Sequence, residues 1–200
     1  LFRFESNDVK ELNIRLDHLL SNKGIGLITG RPGLGKTSSV RNYVSKLNKS
    51  LYKVVYIPHT SLTEMDLLYL LVREFGYEPK GRKSSNIKTI QQAIIDYSES
   101  KKMTPIIIFD EANYLSSSFL NSIKMILNFK MDSCDKFVVI LMGLPVIIST
   151  LSNAAHEPLR QRIVMNYEFE GFTNSDTLNY ITGKIETAGC NSIMFEEGAI

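Results

Sequence analysis

The chain has 200 residues, of which 44% are hydrophobic, and a formal net charge of +2. This length and composition are typical of one globular domain with its own core, or of one domain with the beginning of a second. The small net charge does not by itself indicate a nucleic-acid-binding protein. Cys134 and Cys190 are too far apart for a metal-binding or redox motif, so we expect reduced thiols in a cytoplasmic protein.

No membrane-spanning segment is predicted. The longest apolar run, at 137–148, is shorter than the roughly 18–20 residues that a membrane helix needs, and Pro145 interrupts it. The sequence opens without a signal-peptide pattern. It begins at Leu1 and stops within an apparent helix at Ile200, so we expect a trimmed part of a longer protein.

Apolar strand patterns alternate with helical patterns along most of the chain. A first helix is predicted from the apolar spacing of Val9 to Leu20, and strands are predicted at 25–29, 52–57, 105–109, 137–142 and 163–169. Further helices are predicted at 38–47, before Gly76, from 86 to about 100, and at 119–129. This alternation predicts a three-layer α/β domain with a mostly parallel five-stranded sheet over residues 1–172. Helical patterns at 174–188 and from Phe195 predict a truncated helical appendage at 173–200.

A glycine-rich motif follows the first predicted strand. Its sequence, Gly30-Arg31-Pro32-Gly33-Leu34-Gly35-Lys36-Thr37, matches G-x-x-x-x-G-K-[ST], the P-loop of nucleoside-triphosphate-binding proteins. The glycines let successive backbone N–H groups point at phosphates, and the next helix adds the positive end of its dipole. The alternative is a chance Lys-Thr after a glycine-rich turn, which the strand–loop–helix context disfavours. The predicted nucleotide-binding residues are Gly30, Pro32, Gly33, Leu34, Gly35, Lys36, Thr37 and Ser38.

Each polar group of this motif has an expected role. Lys36 bridges the β- and γ-phosphates and is a catalytic candidate, and the hydroxyl of Thr37 binds Mg²⁺. The third strand runs into Asp110 and Glu111, where Asp110 is the second candidate Mg²⁺ ligand and Glu111 the general base for an attacking water. The alternative interpretation of Asp110 and Glu111 is an ordinary exposed turn after a strand. An acid beside the metal-binding Asp favours hydrolysis by water over phosphoryl transfer to a substrate. The P-loop and the Asp-Glu pair together predict ATP and Mg²⁺ as the ligands.

Two arginines precede the fifth strand, in Leu159-Arg160-Gln161-Arg162-Ile163. An arginine from a neighbouring subunit stabilises the charge that develops on the γ-phosphate in many phosphoryl-transfer enzymes. Plain surface charges are the alternative interpretation, and for arginines taken alone it is the commoner one. The position of the two arginines after the fourth strand favours the catalytic interpretation.

The order of these motifs resembles the AAA+ ATPase superfamily. Within it, Asp-Glu-Ala-Asn-Tyr-Leu at 110–115, Val-Val-Ile-Leu-Met-Gly-Leu-Pro at 138–145 and the arginine segment resemble the ExeA/GspA-type secretion ATPases and the TnsC-, TniB- and MuB-type transposition ATPases. The resemblance implies a core with a helical lid, ATP-dependent homo-oligomeric rings or filaments, and an arginine finger, assigned to Arg162 with Arg160 in reserve. The usual polar sensor after the fourth strand is replaced by Met142-Gly143-Leu144. The sensor arginine of the lid would lie beyond residue 200.

The transposition branch implies duplex DNA and a transposase as partners. The candidate DNA-binding residues follow the second predicted strand and the helix after it. They are Lys80, Arg82, Lys83 and Lys88. The alternative interpretation of this basic stretch is a solvated loop. A secretion ATPase of the ExeA type is the second candidate function, although no membrane or peptidoglycan-binding region is visible. A small-molecule P-loop kinase is the third, and Asp-Glu would be an unusual end for its metal-binding strand.

Overall fold

A computed structural model of the chain describes residues 6–128 and 136–189. Within these ranges the strands form one five-stranded sheet in the order β2-β3-β4-β1-β5, and each neighbouring pair is parallel. The strands are β1 Gly24–Gly30, β2 Tyr52–Ile57, β3 Thr104–Phe109, β4 Val138–Gly143 and β5 Ile163–Phe169. The predicted five-stranded, mostly parallel sheet is therefore confirmed, and no predicted strand boundary is wrong by more than one residue.

Helices connect the strands as the alternating pattern predicts. They are α1 Asn7–Asn22, α2 Lys36–Lys46, α3 Glu64–Glu74, α4 Lys83–Ile95, α5 Ser117–Leu127, α6 Val146–Leu151, α7 Glu157–Arg160 and α8 Asn174–Thr187. A π-helical turn, Asp96–Ser100, extends α4, and short 3-10 helices lie at Ala112–Tyr114 and Ala154–His156. The helix predicted from Phe195 and both cysteines lie outside the described residues.

Both faces of the sheet are covered, which is why the strands are almost continuously apolar. On one face Ile107 and Phe109 of β3 pack with α3, α4 and α5. On the other face Ile106 and Ile108 pack with α1 and α2. Each of these four side chains is at most 2% exposed, because alternate residues of a strand point to opposite faces. The predicted three-layer α/β architecture is confirmed.

The strand order determines which loops meet at the edge of the sheet. β1 lies beside β4, β4 beside β3, and β3 beside β2. Because the strands are parallel, their carboxyl ends lie at one edge, where open α/β sheets bind their ligands. The P-loop after β1, the turn after β3 and the segment after β4 are therefore neighbours.

The carboxyl-terminal part of the described chain is helical. α8 begins after Thr173, whose hydroxyl and backbone N–H exchange hydrogen bonds with Asp176 in a capping box. The division into a core at 1–172 and a lid at 173–200 stays a prediction. Across the described residues, we find no helix with the length and apolarity to cross a membrane.

Candidate functional site

The P-loop is held open by its glycines. Gly33 and Gly35 have φ angles of 80° and 92°, in the left-handed region that glycine adopts without steric cost. Gly35 is the N-cap of α2, and no described side chain caps this helix, so its first N–H groups are available to an anion. Pro32 and Ser38 are exposed, and Leu34 is half-buried. The loop thus has the form that phosphate binding requires.

Lys36 lies over the same loop. Its Nζ atom donates hydrogen bonds to the carbonyl oxygens of Gly30 at 2.8 Å and Arg31 at 2.7 Å. Burial lowers the pKa of Lys36, and the nearby charge of Asp110 opposes this effect. The ammonium group is therefore positioned within the loop, where it can meet a bound phosphate.

Thr37 and Asp110 meet although they belong to different elements. The hydroxyl of Thr37, in the first turn of α2, donates to Oδ2 of Asp110 at 2.8 Å. The hydroxyl of Tyr56, near the end of β2, donates to the same oxygen at 2.5 Å, and Asp110 is only 8% exposed. The guanidinium of Arg41 lies 4.9 Å from the centre of the Tyr56 ring. Burial, followed by the hydrogen bond to Asp110, raises the pKa of Tyr56 to about 12.

Glu111 has an unusual backbone conformation next to this pair. Its φ and ψ are 53° and 36°, a left-handed conformation that is uncommon for a residue other than glycine. The fully buried Thr60 donates from its hydroxyl to the carbonyl oxygen of Glu111 at 2.5 Å, and the N–H of Glu111 donates to Oδ1 of Asp110 at 2.9 Å. These contacts hold the strained turn and leave the side chain of Glu111 exposed at the cavity.

A cavity of about 320 Å³ joins these groups. It is lined by Pro32, Gly33, Lys36, Thr37, Asp110, Glu111, Asn113, Tyr114, Gly143 and Leu144. The structure thus brings the predicted P-loop residues together with the predicted Asp-Glu pair.

Sequence reasoning did not single out Tyr56, Thr60 or Asn113 as site residues. Tyr56 and Thr60 lie at and just beyond the carboxyl end of a predicted strand, which is a weak indication of a site position in a parallel sheet. Asn113 lies in the segment 110–115 that carries the family resemblance. Their contacts with Asp110, Glu111 and β4 depend on the order of the strands, which the sequence pattern does not contain.

The two candidate finger arginines have different surroundings. Arg162 donates to the carbonyl oxygen of Leu127 at 3.0 Å and to Oδ1 of Asn128 at 2.8 Å, at the end of α5. Arg160 is exposed, and its Nη1 donates to the carbonyl oxygen of Ser152 at 3.4 Å. Neither arginine lines the cavity of its own chain. A role at the nucleotide therefore requires a second copy of the chain.

The four basic candidate residues also divide into two kinds. Lys83, at the start of α4, forms an ion pair with Glu64 at 2.7 Å. Lys80, Arg82 and Lys88 are exposed. Lys80 and Lys88 line an open groove of about 550 Å³ between α4 and the loop that precedes it. Three of the four predicted cations are thus directed to solvent, and the fourth stabilises the fold.

The fold and the site together define a P-loop nucleotide-binding domain. The family model described as "AAA domain" matches residues 17–151, which include the P-loop, Asp110 and Glu111. The chain belongs to this family, whose members are ATPase-type domains. The AAA-type prediction is thereby confirmed.

One curated relative supports the secretion side of the predicted branch. The chain is 27% identical over 180 residues to General secretion pathway protein A of Aeromonas hydrophila, and the match covers 88% of this chain and 32% of that protein. The chain therefore spans about a third of its relative's length. The match is consistent with the ExeA/GspA resemblance, and the TnsC, TniB and MuB resemblance stays a prediction.

Solved structures show the same fold. The Aeropyrum pernix ORC2 protein in its ADP form has a TM-score of 0.69 at 17% identity, covering 93% of this chain and 53% of that one. The Aeropyrum pernix ORC1 protein in complex with DNA has a TM-score of 0.66 at 14% identity, covering 90% and 48%. Cdc6p of Pyrobaculum aerophilum has a TM-score of 0.63 at 16% identity, with the same coverages of 90% and 48%. At these identities the likeness establishes the fold.

Proposed function

We propose that the chain binds ATP together with Mg²⁺ and hydrolyses it to ADP and phosphate. The observation that carries the proposal is the 2.8 Å contact between Thr37 and Asp110 beside the P-loop. A hydroxyl and a carboxylate are oxygen ligands of the kind that Mg²⁺ prefers, and Mg²⁺ commonly takes one or two protein ligands together with substrate phosphates. The residues present therefore fit the metal.

The other groups of the cavity have complementary tasks. The N–H groups of the P-loop and the ammonium of Lys36 bind the phosphates and neutralise their charge. Thr37 and Asp110 would hold Mg²⁺, which would supply further neutralisation of the phosphate charge. Glu111 is exposed at the cavity and accepts a proton from the attacking water. Tyr56 holds Asp110 in place through its hydrogen bond to Oδ2.

Assembly would supply a group that the described lining of the cavity lacks. Among the described residues that line the cavity, Lys36 is the only cation, and no arginine is present. An arginine from a neighbouring copy would add the charge that stabilises the transition state. Arg162 is the assignment that the family resemblance implies, and Arg160 is the alternative with the more exposed guanidinium. This arrangement makes a ring or filament of identical subunits the active form.

We propose DNA-associated regulation of transposition as the use of this ATPase, with duplex DNA and a transposase as partners. Exposed Lys80, Arg82 and Lys88 support DNA contact, because copies of one patch converge on phosphates when subunits assemble. A secretion-pathway ATPase is the second candidate function. The identity to General secretion pathway protein A favours it.

ATP turnover with and without duplex DNA, at fixed low salt, distinguishes these uses. We expect turnover to rise with DNA and the stimulation to fade as salt rises. The double variant Lys80→Ala/Lys88→Ala should lose most of the stimulation. Lys10→Ala/Lys49→Ala, which removes the same charge at exposed positions elsewhere, should retain it. Turnover that is indifferent to DNA in the wild type would leave the ATPase standing and favour the secretion-type function.

A further inference from the structure

Asn113 places a polar amide where β4 ends without a polar side chain. The last residues of β4 are Met142, which is fully buried, and Gly143, which has no side chain. Asn113 comes instead from the turn after β3. It lines the same cavity as Lys36 and Glu111. The cavity therefore has an uncharged hydrogen-bonding group that neither the P-loop nor the Asp-Glu pair provides.

The orientation of this amide is determined by a backbone contact. The N–H of Leu144 donates to Oδ1 of Asn113 at 3.0 Å. A backbone N–H can only donate, so the atom facing Leu144 must be the oxygen, and the other branch of the amide must be Nδ2. Among the described residues, no group accepts a hydrogen bond from Nδ2. Both of its N–H groups are thus available to a ligand in the cavity.

Gly143 makes this arrangement possible. A Cβ atom at position 143 would lie 2.7 Å from Oδ1 and 3.0 Å from the backbone nitrogen of Asn113. Gly143 is not among the glycines with a positive φ. Glycine is therefore needed at position 143 because there is no space for a side chain, and not because of the backbone conformation. The close packing of Asn113 on the end of β4 holds the amide in one place.

We propose that Asn113 donates a hydrogen bond from Nδ2 to an oxygen of the γ-phosphate of ATP. The inference rests on the proposed ATP site and adds to it a residue that distinguishes ATP from ADP. A neutral N–H donor that meets a phosphate oxygen forms a charge-assisted hydrogen bond, which is stronger than one between neutral groups. ADP lacks the γ-phosphate, so Asn113 contributes nothing to ADP binding.

The variant Asn113→Asp tests this role with little change of shape. Its carboxylate still accepts from Leu144, but it has no donor and brings a negative charge towards the phosphate. We expect the affinity for a non-hydrolysable β,γ-imido analogue of ATP to fall about 10- to 100-fold. The affinity for ADP and the melting temperature without nucleotide should stay close to those of the wild type. Calorimetric titration in Mg²⁺ measures both affinities.

Gly143→Ala provides a second variant that retains the amide. The added methyl group displaces Asn113, so we expect the same selective loss of affinity for the analogue. Equal losses for ADP and the analogue, or no loss in Asn113→Asp, would show that Asn113 only supports the turn and would overturn the proposal. A wild-type chain that binds neither nucleotide would instead refute the ATP site itself, and the γ-phosphate contact with it. A selective loss in both variants supports the contact.

Discussion

The hydroxyl of Thr37 donates a hydrogen bond to Oδ2 of Asp110 at 2.8 Å, across 73 residues of sequence. The contact joins the first turn of α2 to the end of β3. It places a hydroxyl and a carboxylate, the two proposed Mg²⁺ ligands, beside the phosphate-binding loop. A pair held together by a hydrogen bond in this way reduces the cost of ordering the proposed site.

Thr37→Ala should therefore weaken Mg²⁺-dependent binding of ATP. The variant removes the proposed metal ligand and a hydrogen bond to Asp110, and we expect a loss of affinity of at least about tenfold. Titration of a fluorescent ATP analogue with Mg²⁺ and with EDTA measures the metal-dependent part. Thr37→Ser retains the hydroxyl and should behave like the wild type. If Thr37→Ala keeps the full Mg²⁺ dependence, Thr37 is not a ligand.

Lys36→Ala should abolish nucleotide binding. The ammonium group lies within hydrogen-bonding distance of the carbonyls of Gly30 and Arg31, inside the loop that receives the phosphates. A ligand that binds the folded state raises its melting temperature, so ATP should raise that of the wild type and not that of Lys36→Ala. Lys49→Ala, at an exposed position outside the site, is the control. An undiminished ATP-induced shift in Lys36→Ala would contradict the role.

Glu111→Gln should bind ATP and fail to turn it over. The amide has nearly the shape of the carboxylate but cannot accept the proton of the attacking water, so we expect turnover to fall by at least about a hundredfold. Single-turnover hydrolysis and equilibrium binding separate the two effects. Normal turnover in this variant would remove Glu111 from its role as the general base.

The backbone of Glu111 provides a further check on the same residue. A left-handed conformation costs a residue other than glycine about 1–2 kcal/mol, so Glu111→Gly should have equal or higher stability against unfolding while losing turnover. Thermal unfolding measures the stability. A stability that falls clearly below that of the wild type would mean that the Glu111 side chain stabilises the turn.

Arg160 and Arg162 should give different results when each is replaced by alanine. Arg162→Ala removes two hydrogen bonds at the end of α5 and should cost about 1–3 kcal/mol of stability. Arg160→Ala should cost much less, because Arg160 is exposed. At concentrations where the subunits assemble, we expect Arg162→Ala to lower turnover and to leave ATP binding intact. Unchanged turnover in this variant would point to Arg160 as the finger.

The ion pair between Glu64 and Lys83 should make stability depend on pH. Burial by itself raises the pKa of Glu64, but the hydrogen bonds from Lys83 and Ser122 outweigh burial and hold this pKa below its usual value. A lowered pKa means that the contribution of Glu64 is present above about pH 4 and is lost as the pH falls through the folded-state pKa. Because Lys83 is 39% exposed, we expect a contribution of about 1 kcal/mol or less.

Chemical denaturation of the wild type and of Glu64→Gln between pH 7 and pH 3 measures this effect. The difference between their free energies of unfolding should be largest at neutral pH and should shrink in acid. Glu74→Gln removes an exposed charge from the same helix and serves as the control. A difference for Glu64→Gln that does not depend on pH would show that the carboxylate contributes by packing alone.

The P-loop, the strands and the Asp-Glu pair could be predicted from the sequence because each depends on local chemistry. The spacing of Gly33 and Gly35 determines a loop conformation within eight residues, and it requires no knowledge of what packs around it. The strands could be located because a sheet covered on both faces needs continuous apolar segments.

The contacts of Asn113, Arg162 and Lys83 could not be predicted in the same way. Each depends on a partner that is distant in sequence, namely Leu144, Asn128 and Glu64 respectively. For Lys83, the sequence shows a basic stretch but not the ion pair with Glu64. The sequence does show that β4 ends without a polar side chain, but not that Asn113 occupies this place.

The sequence by itself determined that this chain is a P-loop α/β domain, because phosphate-binding loops and buried strands are specified by residues close together in the chain. The tertiary structure alone decided which side chains share the cavity. The strand order brings the ends of β1, β4, β3 and β2 side by side, so that Thr37, Tyr56, Asp110 and Asn113 meet at one edge. That order arises from long-range packing on the two faces of the sheet, which no local pattern records.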